Sequence, residues 1–354
     1  MDPGSGTSAV RAAFRRQAAS CLELGSPFTY QLISLLADRL RDNEPVGKAV
    51  LNWPADPIAD ALPLRLAGAL HALVLSRQAT TLIDVYPPGS PDDDELWQSV
   101  ARAFETHGSR ILRFIENPPQ TNEVARSAAL AAGFHTIAGL TSSPLALLEI
   151  GASAGLNLYW NSFGFDLGGV AIRKTTARPL IAPVWKGPPP PATRVRVEER
   201  AACDRAPIDI RSPADVLRLR AYVWPDQTDR LARLDQALAV AQTSPVPVDR
   251  ADAADWAEIQ LARRRKSVAT VLYHSIVWQY LPQNTQQRLR RLIAHAGERA
   301  HADAPFIWLR MEPETQQAAA LRLTAWPYGE TLFLADVDYH GRWIRWHVGA
   351  DALT

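Results

Sequence analysis

Up to about residue 140 the apolar positions recur at helical spacing, as in Ile33, Leu36, Ala37 and Leu40, and again in Leu62, Leu66, Ala69, Leu70 and Leu73. An all-helical N-terminal domain over residues 1–140 is expected. Its punctuation agrees: Gly25 ends one helix, and Ser26-Pro27, Asp56-Pro57 and Ser90-Pro91 each set a capping side chain before a proline suited to a first turn. Asp92 to Asp94 favour the positive end of the helix that follows.

Beyond residue 140 the pattern changes to short apolar runs ending in Gly, Pro, Asp or His and alternating with longer helical stretches, as parallel βαβ units do. The candidate strands are 145–150, 193–199, 246–251, 269–274 and 305–311, with helices such as Ala214 to Arg220 and Thr228 to Gln242 between them. The runs 321–326, 331–339 and 343–348 then follow one another through short turns and are expected to be antiparallel. Residues 161–192, with Gly168-Gly169 and the prolines Pro188 to Pro191, read as an insertion in a second domain spanning 141–354. The expected fold class is α/β, with the helical domain covering the ligand edge of a Rossmann-like domain.

Composition narrows the function classes. Lysine plus arginine (38) nearly cancels aspartate plus glutamate (37) in the 354 residues, so no global field draws the chain to nucleic acid or an anionic membrane. A small molecule is the expected partner. Two cysteines, Cys21 and Cys203, and the lack of any CxxC or Cys/His cluster argue against a disulfide framework or a metal site. No apolar run approaches the roughly 20 residues of a membrane span, and the first residues lack a secretory apolar core. A cytoplasmic protein is expected.

The run LLEIGASAGLNL is a strand followed by a turn of small residues, the place where open α/β sheets bind ligands. Gly151 and Gly155 bracket Ala152, Ser153 and Ala154, which leaves the backbone open to close approach. A dinucleotide fingerprint would want glycine at 151, 153 and 156, and a P-loop would want G-K-[ST]; neither is present. Counted as E-x-G-x-G-x-G, the run resembles the first motif of class I S-adenosylmethionine-dependent methyltransferases, with Glu149, Gly151 and Gly155 in place and Ser153 for the middle glycine.

That resemblance implies a sheet of parallel strands with a C-terminal antiparallel pair inserted at its edge, and S-adenosyl-L-methionine as cofactor. It implies that Glu149, Gly151, Ala152, Ser153, Gly155 and Asn157 line the methionine and ribose side, Asp204 the ribose hydroxyls, and Asp252-Ala253 the adenine, with Arg126 on the methionine carboxylate. More closely, the chain resembles a bacterial family of unknown function whose members share PPQTNEVARSAAL, LLEIGASAGLNL, AYVWPDQ, YHSIVWQYLP and WLRMEP. The insertion after the turn implies a short or irregular helix there.

Methyl transfer needs positioning more than acid or base. Where the acceptor carries a proton, His274 at a strand end is the expected base, with Glu312 and His340 as further candidates. The blander readings are a histidine bonded to its own strand end, a cap before Pro313, and a surface turn residue. Asn122, Glu123, Trp278 and Tyr280 are expected against the substrate, and Trp224-Pro225-Asp226-Gln227 offers another ring beside hydrogen-bonding groups. Two rival functions are nucleoside binding without turnover and dinucleotide-dependent oxidoreduction.

Overall fold

The computed structural model describes residues 3–172, 176–315 and 317–349. In chain order its first helices are α1 (Pro3–Glu23), α2 (Pro27–Arg39), α3 (Pro45–Leu51), α4 (Leu62–Leu75), α5 (Thr80–Val85), α6 (Asp93–Ile115) and α7 (Ser127–Thr141). Strands β1 (Leu145–Ile150), β2 (Gly164–Leu167), β3 (Val170–Ile172), β4 (Leu180–Ile181), β5 (Val184–Lys186) and β6 (Val197–Asp204) follow. Then come α8 (Pro213–Ala221), α9 (Thr228–Thr243), β7 (Val248–Arg250), α10 (Ala253–Ala262), β8 (Ala269–Ser275) and α11 (Gln283–Glu298). The last strands are β9 (Phe306–Pro313), β10 (Ala319–Trp326), β11 (Glu330–Val337) and β12 (Trp343–Trp346).

Two compact units result: Met1–Thr121 with Ser212–Ala232, and Asn122–Arg211 with Arg233–Thr354. The division differs from a single boundary near residue 140, because α7 belongs with the sheet and Ser212–Ala232 with the helices. Hydrogen bonds inside the helical unit show why. His71 Nδ1 lies 3.1 Å from the Ala221 carbonyl, and burial pushes the His71 pKa down to about 4, so the neutral ring donates there at ordinary pH.

Asp226 takes the N–H of Phe28 at 3.0 Å and the Ser26 hydroxyl, so the start of α2 is capped from almost 200 residues along the chain. Ser26 makes no side-chain cap of its own. The Trp224-to-Gln227 segment, expected to offer a ligand-facing ring, instead packs Trp224 against the helical core and bonds Gln227 to the Leu24 carbonyl. Asp92 does cap α6, in a capping box with Glu95, and Arg65 closes the other end of that helix through the Ile115 and Glu116 carbonyls.

The second unit is built on a nine-stranded sheet in the order β5-β12-β11-β10-β9-β8-β1-β6-β7. The run β7-β6-β1-β8-β9 is parallel, as the alternation predicts, and β9 through β12 are antiparallel. The antiparallel strands are added in sequence order, not inserted as a pair. The connection 314–318 is too short for a crossover, so β10 must fold back on β9 as a hairpin.

Strand β6 also differs from expectation, running from Val197 to Asp204 and not over 193–199. Only the last three residues of TRVRVEE belong to β6, whose pairing with β1 starts at Val197 and Glu199 and runs on through Ala201 and the buried Ala202 and Cys203. All six residues of β1 are buried. Ala253, Trp256, Leu289 and Ile293 of α10 and α11 pack on Leu148, Ile150 and Leu272. The alanine-rich α7 lies close against the sheet: a Cβ on Gly133 would stand 3.0 Å from Leu309.

The 161–192 insertion forms the small sheet β3-β2-β4 and lends β5 to the edge beside β12. Among the described residues no helix is long and apolar enough to cross a membrane. Because Asp226 caps α2 from afar, Asp226→Ala will lower the denaturant midpoint of the helical unit by the equivalent of ~1–3 kcal/mol. Urea unfolding followed by circular dichroism measures it.

Candidate functional site

From β1 the chain goes outward to β6 and β7, then returns to β8 and β9 on the other side, so a topological switch point lies between β1 and β8. The chain leaves β1 through three left-handed residues, Gly151 (φ +68°), Ser153 (φ +55°) and Gly155 (φ +69°). Ser153 therefore adopts the conformation a glycine would take more easily. A 3₁₀ segment, Leu156–Ser162, follows in place of an α-helix, in line with the irregular helix expected there.

Most of this turn's polar groups are satisfied internally. Ala152 N–H bonds to the Cys203 carbonyl, Ser153 N–H to Asp204 Oδ2 at 2.8 Å, and Leu156 N–H to Asn122 Oδ1 at 2.9 Å. Asp204 Oδ1 takes the Ala206 N–H at 2.9 Å. In this segment two buried atoms, Ser153 Oγ and Asn157 Oδ1, have no hydrogen-bond partner among the described residues. One flank of Gly151 is closed, because a Cβ there would come within 2.2 Å of Val277 Cγ2.

Glu149 does not face this turn. It is 2% exposed and accepts a 3.0 Å hydrogen bond from Tyr273, its cross-strand partner, whose ring meets Phe134 of α7 edge-on. Burial, helped by the charge of Asp204 and opposed by the Tyr273 bond, pushes the Glu149 pKa up to about 8.

A second cluster forms where β8 and β9 end. His274, fully buried, has its Nδ1 2.6 Å from Glu312 Oε1, while its Nε2 lies 3.1 Å from the Trp308 indole N–H. An indole only donates, so Nε2 is the acceptor and Nδ1 carries the proton. Trp278 stacks on the ring at 5.2 Å. Both nitrogens of His274, the expected base, are thus engaged within the protein.

Glu312 also accepts the N–H groups of Val277 (3.1 Å) and Trp278 (3.3 Å). Just before them comes a strained β-branched residue, Ile276 at φ +53°, held by its own N–H to the Met311 carbonyl at 2.9 Å. Arg126 is directed at main-chain carbonyls, Tyr339 at 2.9 Å and Ser275 at 3.3 Å, where a carboxylate clamp was expected.

His340 stands in the turn after β11, where Asp338 takes the N–H groups of His340 and Arg342 and the Arg342 guanidinium. Burial works against ionising Asp338; those bonds outweigh it and hold its pKa below the usual value. The turn is tight against Ala125, since a Cβ on Gly341 would lie 2.7 Å from the Ala125 carbonyl. Glu123, buried, caps the Ala125 N–H at 3.1 Å.

Asp252 caps α10 through the Ala254 N–H and accepts the Thr285 hydroxyl at 2.9 Å, with Ala253 buried beneath it. Burial raises its pKa less than these bonds lower it. Tyr280 is 72% exposed and forms no wall. The structure thus gathers Asn122, Gly151 to Asn157 and Asp204 into one group and Arg126, His274, Trp278 and Glu312 into another, touching through Val277. Sequence reasoning gave Ile276, Val277 and Trp308 no role of their own, although the runs YHSIVWQYLP and WLRMEP contain them.

A raised acid in the fold lowers stability as pH rises. From about pH 4.5, where an unfolded Glu149 ionises, to about pH 8, where the folded one does, each pH unit should remove up to ~1.4 kcal/mol, with no further loss above. Glu149→Gln keeps an acceptor for Tyr273 and should remove this slope from unfolding curves taken across that range. Parallel slopes for both proteins would show that Glu149 is not held neutral.

The comparisons with known proteins add a family. A family model described as "Uncharacterized protein conserved in bacteria (DUF2332)" matches residues 11–346. No curated protein and no solved structure matches the chain.

Proposed function

The chain belongs to this uncharacterised bacterial family, and from the residues of the site we propose that it is an S-adenosylmethionine-dependent methyltransferase acting on a small molecule. The observation that carries the reading is the left-handed turn 151–155 beside Asp204, with Ser153 Oγ and Asn157 Oδ1 buried and unmatched. Such atoms cost roughly 1–3 kcal/mol each when nothing meets them, and a nucleoside's hydroxyls and amino group are fitting partners. The residues fit the cofactor on the Asp204 flank. Each Asp204 oxygen accepts one main-chain N–H and keeps lone pairs for a vicinal diol.

Val277 closes the opposite flank, so contact is confined to the Asp204 side. Asp252, one strand further out, is the candidate for the adenine amino group. Bound there, S-adenosylmethionine supplies a methyl group on a cationic sulfur for in-line displacement. The chain's own task is to hold the acceptor in line and keep water out. His274 and Glu312 fix the Ser275–Trp278 loop, and the reading asks neither of them to remove a proton from the acceptor.

A second reading, nucleoside binding without turnover, is favoured by that locked histidine. The dinucleotide reading loses ground, since a 3₁₀ segment offers no α-helix N-terminus for a pyrophosphate. Calorimetric titration is expected to give binding of S-adenosylmethionine and its demethylated product but not NAD. Asp204→Asn should weaken it by ~1.5–3 kcal/mol. Ser153→Gly should raise the melting temperature, by relieving both the left-handed strain and the unmatched hydroxyl, while weakening the nucleoside. No heat with either nucleoside ends the proposal. Transfer of a labelled methyl group into a small-molecule extract separates the enzyme from the binder.

A further inference from the structure

On the face of the sheet that carries α11, β9 and β10 set two arginines directly opposite each other, Arg310 and Arg322. Like charges in that position destabilise a sheet. Arg322 is compensated by a 2.6 Å ion pair with Glu314, and its guanidinium carbon lies 4.7 Å over Phe333. Arg310 has no carboxylate among the described residues: its Nη1 bonds to Thr324 Oγ1 at 3.1 Å, and its guanidinium lies 4.1 Å over Trp308.

A third arginine joins them from α11. The exposed Arg290 lies 5.0 Å over Trp278, whose ring is 5.7 Å from that of Trp308. Burial first, and then the charges of Arg322 and Arg290, bring the Arg310 pKa down to about 10, with Glu314 opposing. Among the described residues only Arg322 of the three is ion-paired. Glu312, on the same face of β9, is taken up by His274 and the Val277 and Trp278 N–H groups, so Arg290 and Arg310 bring two positive charges with no carboxylate bonded to them. That matches a phosphoryl group, which carries roughly 1.5–2 negative charges at neutral pH.

The donor geometry agrees. Each guanidinium carbon lies over a ring, and Arg310 and Arg322 use only part of their N–H groups on the protein, which leaves donors for an oxyanion. Thr324 is itself fixed by Thr331 at 2.8 Å. We propose that Arg290, Arg310 and Arg322 form a binding site for the phosphoryl group of a small phosphorylated molecule. This site uses neither the Gly151 turn nor Asp204, so it stands or falls independently of the methyl-donor reading.

The test is titration of the full chain with inorganic phosphate, against chloride at equal ionic strength, by calorimetry and thermal melting. Phosphate should bind and raise the melting temperature of the wild type. Arg310→Met should bind at least tenfold more weakly yet melt no lower, because it removes a repulsion. Arg290→Gln, at an exposed helix position, should weaken binding several-fold. A wild type that responds to phosphate no more than to chloride overturns the proposal, as does wild-type affinity in both variants. Should Arg310→Met fail to fold, Arg290→Gln decides alone, and unchanged affinity there refutes the site.

Discussion

Burial of β1 on both faces is the constraint from which the site follows. Its neighbours β6 and β8 stand alongside to the last residues, Cys203 beside Ile150 and Tyr273 beside Glu149, so the chain must leave without a bulky side chain and turn at once. Three left-handed positions do this. At Ser153 the conformation costs roughly 1–2 kcal/mol, and two bonds hold it there: its N–H to Asp204 and its carbonyl from the Ile208 N–H. Strain and an unmatched hydroxyl at one residue are local penalties of the kind that collect where a backbone is shaped for a ligand.

The same edge shows how polar residues divide between scaffold and function. Glu312, Arg126, Asp338 and Asn122 spend their hydrogen bonds on main-chain groups of loops that end strands or begin the turn. Removing any of them would leave buried main-chain groups without partners, which explains their presence without a ligand. Asp204 differs because each of its oxygens takes a single N–H, at the exit of the strand next to β1.

Much of the fold was legible in the sequence, and the reasons differ by element. LALLEI, ATVLYH and PFIWLRM are continuous apolar runs of strand length, and they lie within a residue or two of β1, β8 and β9. TRVRVEE alternated like a strand, yet only its last three residues join β6, because the pairing with β1 continues past them to Cys203, where the strand becomes buried and the alternation stops. The site was legible only where backbone geometry wrote it. Gly151, Ser153 and Gly155 announce a turn by their size, whereas the lock on His274 depends on Trp308 and Glu312, which are neighbours through strand pairing and not through spacing. The cap on α2 is invisible for the same reason, with Asp226 reached only through the fold.

Electrostatics carries this point furthest. The chain's formal net charge of +1 removes any global field, and read alone it removes interest in anions. A sheet redistributes charge, though, by register: with β10 paired to β9, Arg322 falls opposite Arg310, whereas a shift of one residue would send one of the two to the other face. The register is set by the apolar residues on the α7 side, Leu309, Met311, Leu321 and Leu323, all fully buried. The hydrophobic pattern on one face therefore fixes which charges meet on the other. Burying those leucines forces the two guanidinium groups together, and the aromatic rings of Trp308 and Phe333 beneath them soften the cost without neutralising it.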